Sequence, residues 1–371
     1  MSSPTSLETY RPPRIGNPQI RLLERLSNAC AVSSNEGEVR AIVLEQIRPF
    51  ADQVKVDTLG NILAIRQGRG EKRLRVMLAA HMDEVGFMLT HDEENGIFRF
   101  DTIGNLDARQ LVGKPVWIGK DHTPGVIGAK PVHMTTSEER RESISIEALR
   151  IDVGPDNSKK VKVGDWATFA TSFTRLGPSL RGKALDNRLG VANLIELFSQ
   201  APPNVDLLAA FTVQEELGLR GARVAAYTLD PQLAIVLACT PANDLPPWDQ
   251  GSCFGDDDCT ENLRYNTHLG SGPAIYVAER DTLSDPRLIR HLVETADALG
   301  IPYQIRQPGG GGTDAGAIHK QRAGIPSISL SVPGRYIHTA ATISRLDDWK
   351  NTLALAHGAL SRLHTEILEQ V

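Results

Sequence analysis

The chain has 371 residues, 41% hydrophobic and 23% charged, with a formal net charge of −5, a globular composition that fits two domains or one domain with a large insertion. A mildly acidic chain has no bulk attraction for nucleic acid or anionic lipid, and its apolar runs, such as "LLAAFTV" and "LAIVLA", are far too short to span a bilayer, so neither partner is expected. Four cysteines and a start, "MSSPTSLETYRPPRIGNPQ", that reads as a loose arm without the apolar centre of a signal peptide point to a reducing cytoplasm.

In chain order, Val39, Ile42, Val43, Ile47 and Phe50 follow helical spacing and predict an amphipathic helix over 36–51. "QVKVDTLGNILAIRQG" alternates as an antiparallel hairpin with Gly60 and Asn61 near its turn. "RLRVMLAAH" is a continuous apolar run ending in polar residues, as in a strand buried on both faces, and the pattern recurs at "VDLLAAFTVQEE", "QLAIVLACT" and "IPSISLSVPG". Residues 85–177 differ. Short alternating segments and turn residues, as in "GIFRFDTIGNLD" and "VKVGDWATFATSF", predict a small β-barrel or sandwich. Helical stretches are expected over 188–199, 218–229, 286–300 and 314–323. Ser344 and Asp347 suggest a capping box for a last helix with Leu346, Trp349, Leu353, Ala356, Leu360, Leu363 and Ile367 as its buried stripe. The expected fold is α/β: a mostly parallel mixed sheet flanked by helices, built from 1–84 and 178–371 and interrupted by an all-β insertion over 85–177.

In open α/β sheets, ligands bind beyond the carboxyl ends of the strands. The polar residues there are His81 with Asp83, Glu215 with Glu216, Asp244, and His338, with Asp186 in the loop "GKALDNRLG". Each is unremarkable alone, since lone histidines and paired glutamates are common on surfaces. Their joint placement at the ends of one sheet is what a divalent cation such as zinc requires. "GGGGTDAGAIH" lacks the Gly-Lys-Ser/Thr ending of a phosphate loop and reads as a close-approach segment, with Asp314 starting a helix and His319 an ordinary helical residue. Cys253 and Cys259 flank "FGDDD"; free thiols are expected there rather than a disulfide or metal clip.

"AAHMDEVGFML", "GKALDNRLG", "VQEELGLRGA", "GGGTDAGAIH" and "PGRYIHT", in that order, resemble the signature segments of metallopeptidase family 42, the tetrahedral or glutamyl aminopeptidases, sometimes labelled endoglucanases. The resemblance covers nearly the whole chain. It implies a dimetal exopeptidase that hydrolyses N-terminal residues from peptides, with zinc, cobalt or manganese as cofactor. His81 would bind one metal, Asp186 would bridge both, and Glu216 and His338 would bind the other. Glu215 would be the general base, and Asp83 would orient His81. It also implies that the β-rich insertion dimerises and that dimers assemble into a dodecamer. One departure stands out: the family's aspartate in the segment reading "AIVLACTPAND" falls on Ala238, which cannot ligate, leaving the His81 site short of a donor. A substitute could come from Cys239, though strand alternation turns it away, from Asp244, or from the acidic loop around Cys253. The alternatives are an impaired relative acting in assembly or binding, or a deacylase on a non-peptide amide.

Overall fold

The computed structural model describes residues 11–369 apart from 72, 246–266, 307, 309 and 310. Cys253, Cys259 and the acidic loop around them lie outside the described residues. Helices α1 (Asn17–Asn28) and α2 (Gly37–Ile47) precede the hairpin β1 (Gln53–Val56) and β2 (Ile62–Arg66), and then strand β3 (Leu74–His81). Next come β4 (Gly86–Asp92), β5 (Ile97–Ile103), β6 (Pro115–Ile118), β7 (Thr123–Gly128), β8 (Arg150–Asp152) and β9 (Trp166–Phe169). Strands β10 (Thr174–Leu176) and β11 (Ser179–Gly182) lead into α3 (Leu185–Ser199), β12 (Val205–Thr212), α4 (Arg220–Leu229) and β13 (Leu233–Pro241). The chain closes with β14 (Ala274–Tyr276), α5 (Pro286–Leu299), β15 (Gln304–Arg306), α6 (Ala315–Ile318), β16 (Ser327–Arg335), β17 (Thr342–Arg345) and α7 (Leu346–Ser361).

The large sheet has the order β1-β2-β12-β3-β13-β16-β17-β11-β10, with β14 on β16 and β15 on β14. Its centre, β12-β3-β13-β16, is parallel throughout. These are the four runs whose unbroken apolar character marks burial on both faces, and nearly every position in them is buried. Alternation along β13 divides its side chains between two cores: Leu237 and Cys239 pack with α1, α2, α3 and α7, and Val236 and Ala238 with α4 and α6. A glycine enables a close helix–strand approach. A Cβ on Gly190 of α3 would lie 2.5 Å from the Leu237 carbonyl oxygen, so any larger residue would push α3 off β13.

Strands β4-β5-β8-β7-β6-β9 close into an antiparallel barrel inserted between β3 and β10. Phe87 anchors its core, meeting Phe100 and Phe169 edge-on at centroid distances of 5.2 and 5.3 Å. A mixed α/β sheet with a separate small barrel is the expected fold.

Three local expectations are corrected. The loose arm gives way by Asn17 to α1, which buries Leu22, Leu23 and Leu26. Pro18 sits in the first turn, where proline's missing N–H is harmless. The capping box does not form: Ser344 belongs to β17 and donates to the Pro333 carbonyl at 2.7 Å, and no side chain caps α7. The helix expected over 314–323 is the short α6, Ala315–Ile318.

Candidate metal centre

Because β12, β3, β13 and β16 are parallel, their carboxyl ends share one edge of the sheet. His81 is the last residue of β3, Glu215 and Glu216 follow β12, Ala238 lies near the end of β13, and His338 follows β16. Asp186 stands in the first turn of α3, where its backbone (φ −84°, ψ 104°) is extended rather than helical. Together they line one cavity of about 280 Å³. Ala184, Gln214, Leu219, Tyr336 and His338 beside it all adopt left-handed backbone without being glycine. Each such conformation costs roughly 1–3 kcal/mol, and strain of this kind gathers where side chains must be aimed.

Asp186 is central. Its Oδ1 lies 3.4 Å from His81 Nε2 and its Oδ2 lies 3.5 Å from His338 Nε2, which is in turn 3.2 Å from Glu216 Oε1. Ligand atoms of Asp186, Glu216 and His338 all fall within 4.8 Å of one another. Donors bonded to one tetrahedral zinc at about 2.1 Å lie about 3.4 Å apart, so these three fit a single divalent ion with a position left open.

Asp83 does more than stand beside His81. The His81 Nδ1 is 3.5 Å from the Asp83 carboxylate and 3.2 Å from the Asp83 backbone carbonyl. The carboxylate itself accepts the Glu215 amide at 3.0 Å, the Glu216 amide at 3.2 Å and the Ser33 hydroxyl at 2.6 Å. One buried carboxylate thus fixes the backbone of both glutamates relative to β3. Behind it, Glu84 accepts the Ala31 amide at 2.9 Å, Lys183 Nζ at 2.8 Å and Arg188 Nη2 at 3.1 Å. Arg188 also donates to the carbonyls of Met82, Asp83 and Leu26. Removing one partner from such a buried network strands the others, at a cost of about 3–5 kcal/mol. Arg188→Met is therefore expected to lower the unfolding free energy, read from denaturant titration, by that amount, and an unchanged value would show the network to be dispensable.

The electrostatics mark the cavity as strongly negative. Burial opposes a charge on His81, but Glu215, Asp186 and Asp83 together raise its proton affinity well above the usual imidazole range. His338 is likewise opposed by burial, yet Asp186 and Glu216 push it up to about 11. Burial disfavours ionised Asp186, and the two histidines more than offset this, holding it well below the usual carboxylate range. Glu215 moves the other way. Burial raises it well above that range, His81 only partly counters, and Glu216, Asp314 and Asp83 raise it further. Two imidazoles with raised basicity beside clustered acids mean that the site favours cationic charge, which suits a divalent ion bound by this donor set.

Ala238 is buried and lines the cavity, presenting only a methyl group to it. Cys239 packs on the opposite face of the sheet, as alternation requires, yet it too lines the cavity. Asp244 is committed elsewhere: Arg335 grips it through Nε and Nη2 at 2.6 and 2.8 Å, and it accepts the Leu269 amide. Gly311, Gly312 and Thr313 line the cavity, as the close-approach reading anticipates. Asp314 lies behind, accepting the Thr212 hydroxyl at 2.5 Å, and burial raises it to about 6. His319 caps α6 and bonds the Ala315 carbonyl. Sequence reasoning passed over Ser33, Glu84, Lys183 and Arg188, although three of them sit inside the quoted motifs. It also passed over Asn105, which the barrel contributes to the cavity.

Acids and imidazoles at the carboxyl ends of a parallel-centred sheet, joined by Asn105 from the barrel, make a donor set suited to a metal-dependent hydrolase. The chain belongs to the M42 glutamyl aminopeptidase family, whose family model matches residues 60–355. It is 30% identical to the lysyl aminopeptidase of Pyrococcus furiosus, over 92% of this chain and 96% of that one. Among solved structures, the TET aminopeptidase of Thaumarchaeota archaeon SCGC AB-539-E09 superposes with a TM-score of 0.87 at 31% identity, covering 95% of this chain and 99% of its own. The TET1 peptidase of Pyrococcus horikoshii, which can assemble into a tetrahedron or a large octahedral shell, superposes at 0.79 with 30% identity, over 93% and 100% of the two chains. No helix among the described residues is long and apolar enough to cross a membrane.

Proposed function

We propose that this aminopeptidase removes N-terminal residues from peptides in the cytoplasm, using divalent metal held by His81, Asp186, Glu216 and His338, with Glu215 as general base. The observation that carries the proposal is the division of Asp186's two oxygens between His81 and His338, the placement expected of a carboxylate shared by two ions. Zinc is the preferred metal, with cobalt or manganese compatible with the same donors. Such ions, when bound, polarise a peptide carbonyl and acidify water.

The chain's own residues do the rest. Glu216 lies against His338 and within reach of Asp186, whereas Glu215 stands outside that donor set and is free to act on a substrate. A carboxylate whose proton affinity is raised by burial, as at Glu215, accepts a proton from the attacking water and returns it to the leaving amine. Asp83 keeps both glutamates in register with His81 through their amides. We assign 85–177 to an inserted dimerisation domain, with the remainder as the catalytic domain and dimers building a dodecamer or related shell. The closed barrel and the assemblies named for the Pyrococcus horikoshii relative support that division.

Ala238 favours a second reading, in which the His81 ion binds weakly and the enzyme is slow, or in which the fold serves assembly alone. Hydrolysis of an aminoacyl-p-nitroanilide panel decides. Turnover abolished by a chelator and restored by zinc, cobalt or manganese is expected. Turnover indifferent to chelation would overturn the metal-dependent reading, and silence with every metal and residue type would favour the assembly role.

A further inference from the structure

Away from the catalytic cavity, three different donors converge where the barrel meets the main sheet. The buried Cys30 follows α1, Glu38 opens α2, and His122 sits in the β6–β7 turn of the barrel. Ligand atoms of all three lie within 4.8 Å of one another. His122 Nε2 is 2.6 Å from Glu38 Oε1, and Glu38 Oε2 accepts the Cys30 amide at 2.9 Å. Thr168 of β9 directs its hydroxyl at the Cys30 sulfur, 3.4 Å away, and Trp117 lies at a 30° tilt to the His122 ring with centroids 6.4 Å apart. The sulfur side is closed, whereas Glu38 and His122 are each a little over a third exposed, leaving an open approach from solvent.

We propose that Cys30, Glu38 and His122 form a second, non-catalytic site for a zinc-class divalent cation, tying the barrel to the main domain. Thiolate, imidazole and carboxylate are the three protein donors zinc takes, and three of them leave a fourth position for water on the exposed side. Hydrogen bonding by itself explains only part of the arrangement. It accounts for Glu38 and His122, but not for a buried thiol placed beside both with a hydroxyl donor aimed at its sulfur. Burial pushes the Cys30 thiol above its usual range and Lys183 only partly counters this, so a cation bound at the site would stabilise the thiolate further. Because Asn105 of the barrel lines the catalytic cavity, an ion here would also hold that wall in place.

Cobalt titration of the metal-free protein tests the site, because only a thiolate ligand gives a sulfur-to-cobalt charge-transfer band. Cys239→Ser/Cys253→Ser/Cys259→Ser, which keeps Cys30 as the sole thiol, is expected to show the band, and Cys30→Ser in the full chain to lose it. His122→Ala, a change at a partly exposed turn that leaves the core untouched, should weaken cobalt binding to Cys30 at least about tenfold. Should the triple variant misfold, loss of the wild-type band in both Cys30→Ser and His122→Ala supports the same conclusion. A folded triple variant without the band, or a Cys30-dependent band that is unmoved by His122→Ala, would overturn the proposal.

Discussion

Glu215→Gln is expected to cut kcat by about 10²–10⁴-fold while leaving the bound metal unchanged, the range a positioned general base contributes. Glutamine keeps the shape and the backbone amide bonded to Asp83 but cannot take up a proton. The second half of the outcome carries the weight. Asp186, Glu216 and His338 form the close donor set, and Glu215 is not among them, so metal content measured by atomic absorption should match wild type. In Glu216→Gln, by contrast, activity and metal should fall together. The pH profile adds a further check. An acid limb of kcat/KM set by Glu215 is expected, and residual activity in Glu215→Gln should lose that limb. Equal metal loss in both variants would place Glu215 among the ligands and remove it as the base.

Ala238→Asp is expected to tighten the weaker metal site by about 10–100-fold and to raise turnover with it. The geometry explains why. Strands β3 and β13 pair with Val236 opposite Ala79, and two residues further along that register Ala238 comes level with His81. Even spacing keeps Ala238 on the same face as Val236, and its side chain opens on the cavity. A carboxylate there would join His81 and Asp186, bringing that site to three protein donors. It would also add one negative charge against the mutual repulsion of two divalent ions. Wild type should bind about one ion tightly and the variant about two, read by calorimetry, with Ala238→Asn as a control of similar size. More metal without more rate would mean that the limiting defect lies elsewhere; more rate without more metal would sink the ligand argument.

Much of this site was legible before any fold was known, for a specific reason. A parallel strand buried on both faces must be apolar along its length, so the first polar residues after "RVMLAA", "LLAAFTV" and "SISLSV" announce where the sheet stops. His81, Glu215, Glu216 and His338 are those residues or lie a short turn beyond them. The supporting network was less visible. Lys183 and Arg188 flank Asp186 in sequence, yet nothing in their spacing reveals that both reach Glu84, 99 and 104 positions away. Asn105 and Cys30 were hidden for the same reason: they act across the seam between barrel and sheet, and no local periodicity crosses it.

Residue order alone therefore determined the α/β class, the inserted β region, the close-approach glycines and the acids and imidazoles at the strand ends, because each follows from burial over a few neighbouring residues. Tertiary structure decided which oxygen of Asp186 meets which histidine, that Asp83 holds the Glu215–Glu216 backbone, that Asp244 belongs to Arg335, and that Cys30 meets His122. Those pairings are set by where α3, the barrel and the loop after β16 come to rest against the sheet. Long-range packing, rather than local propensity, fixes that placement.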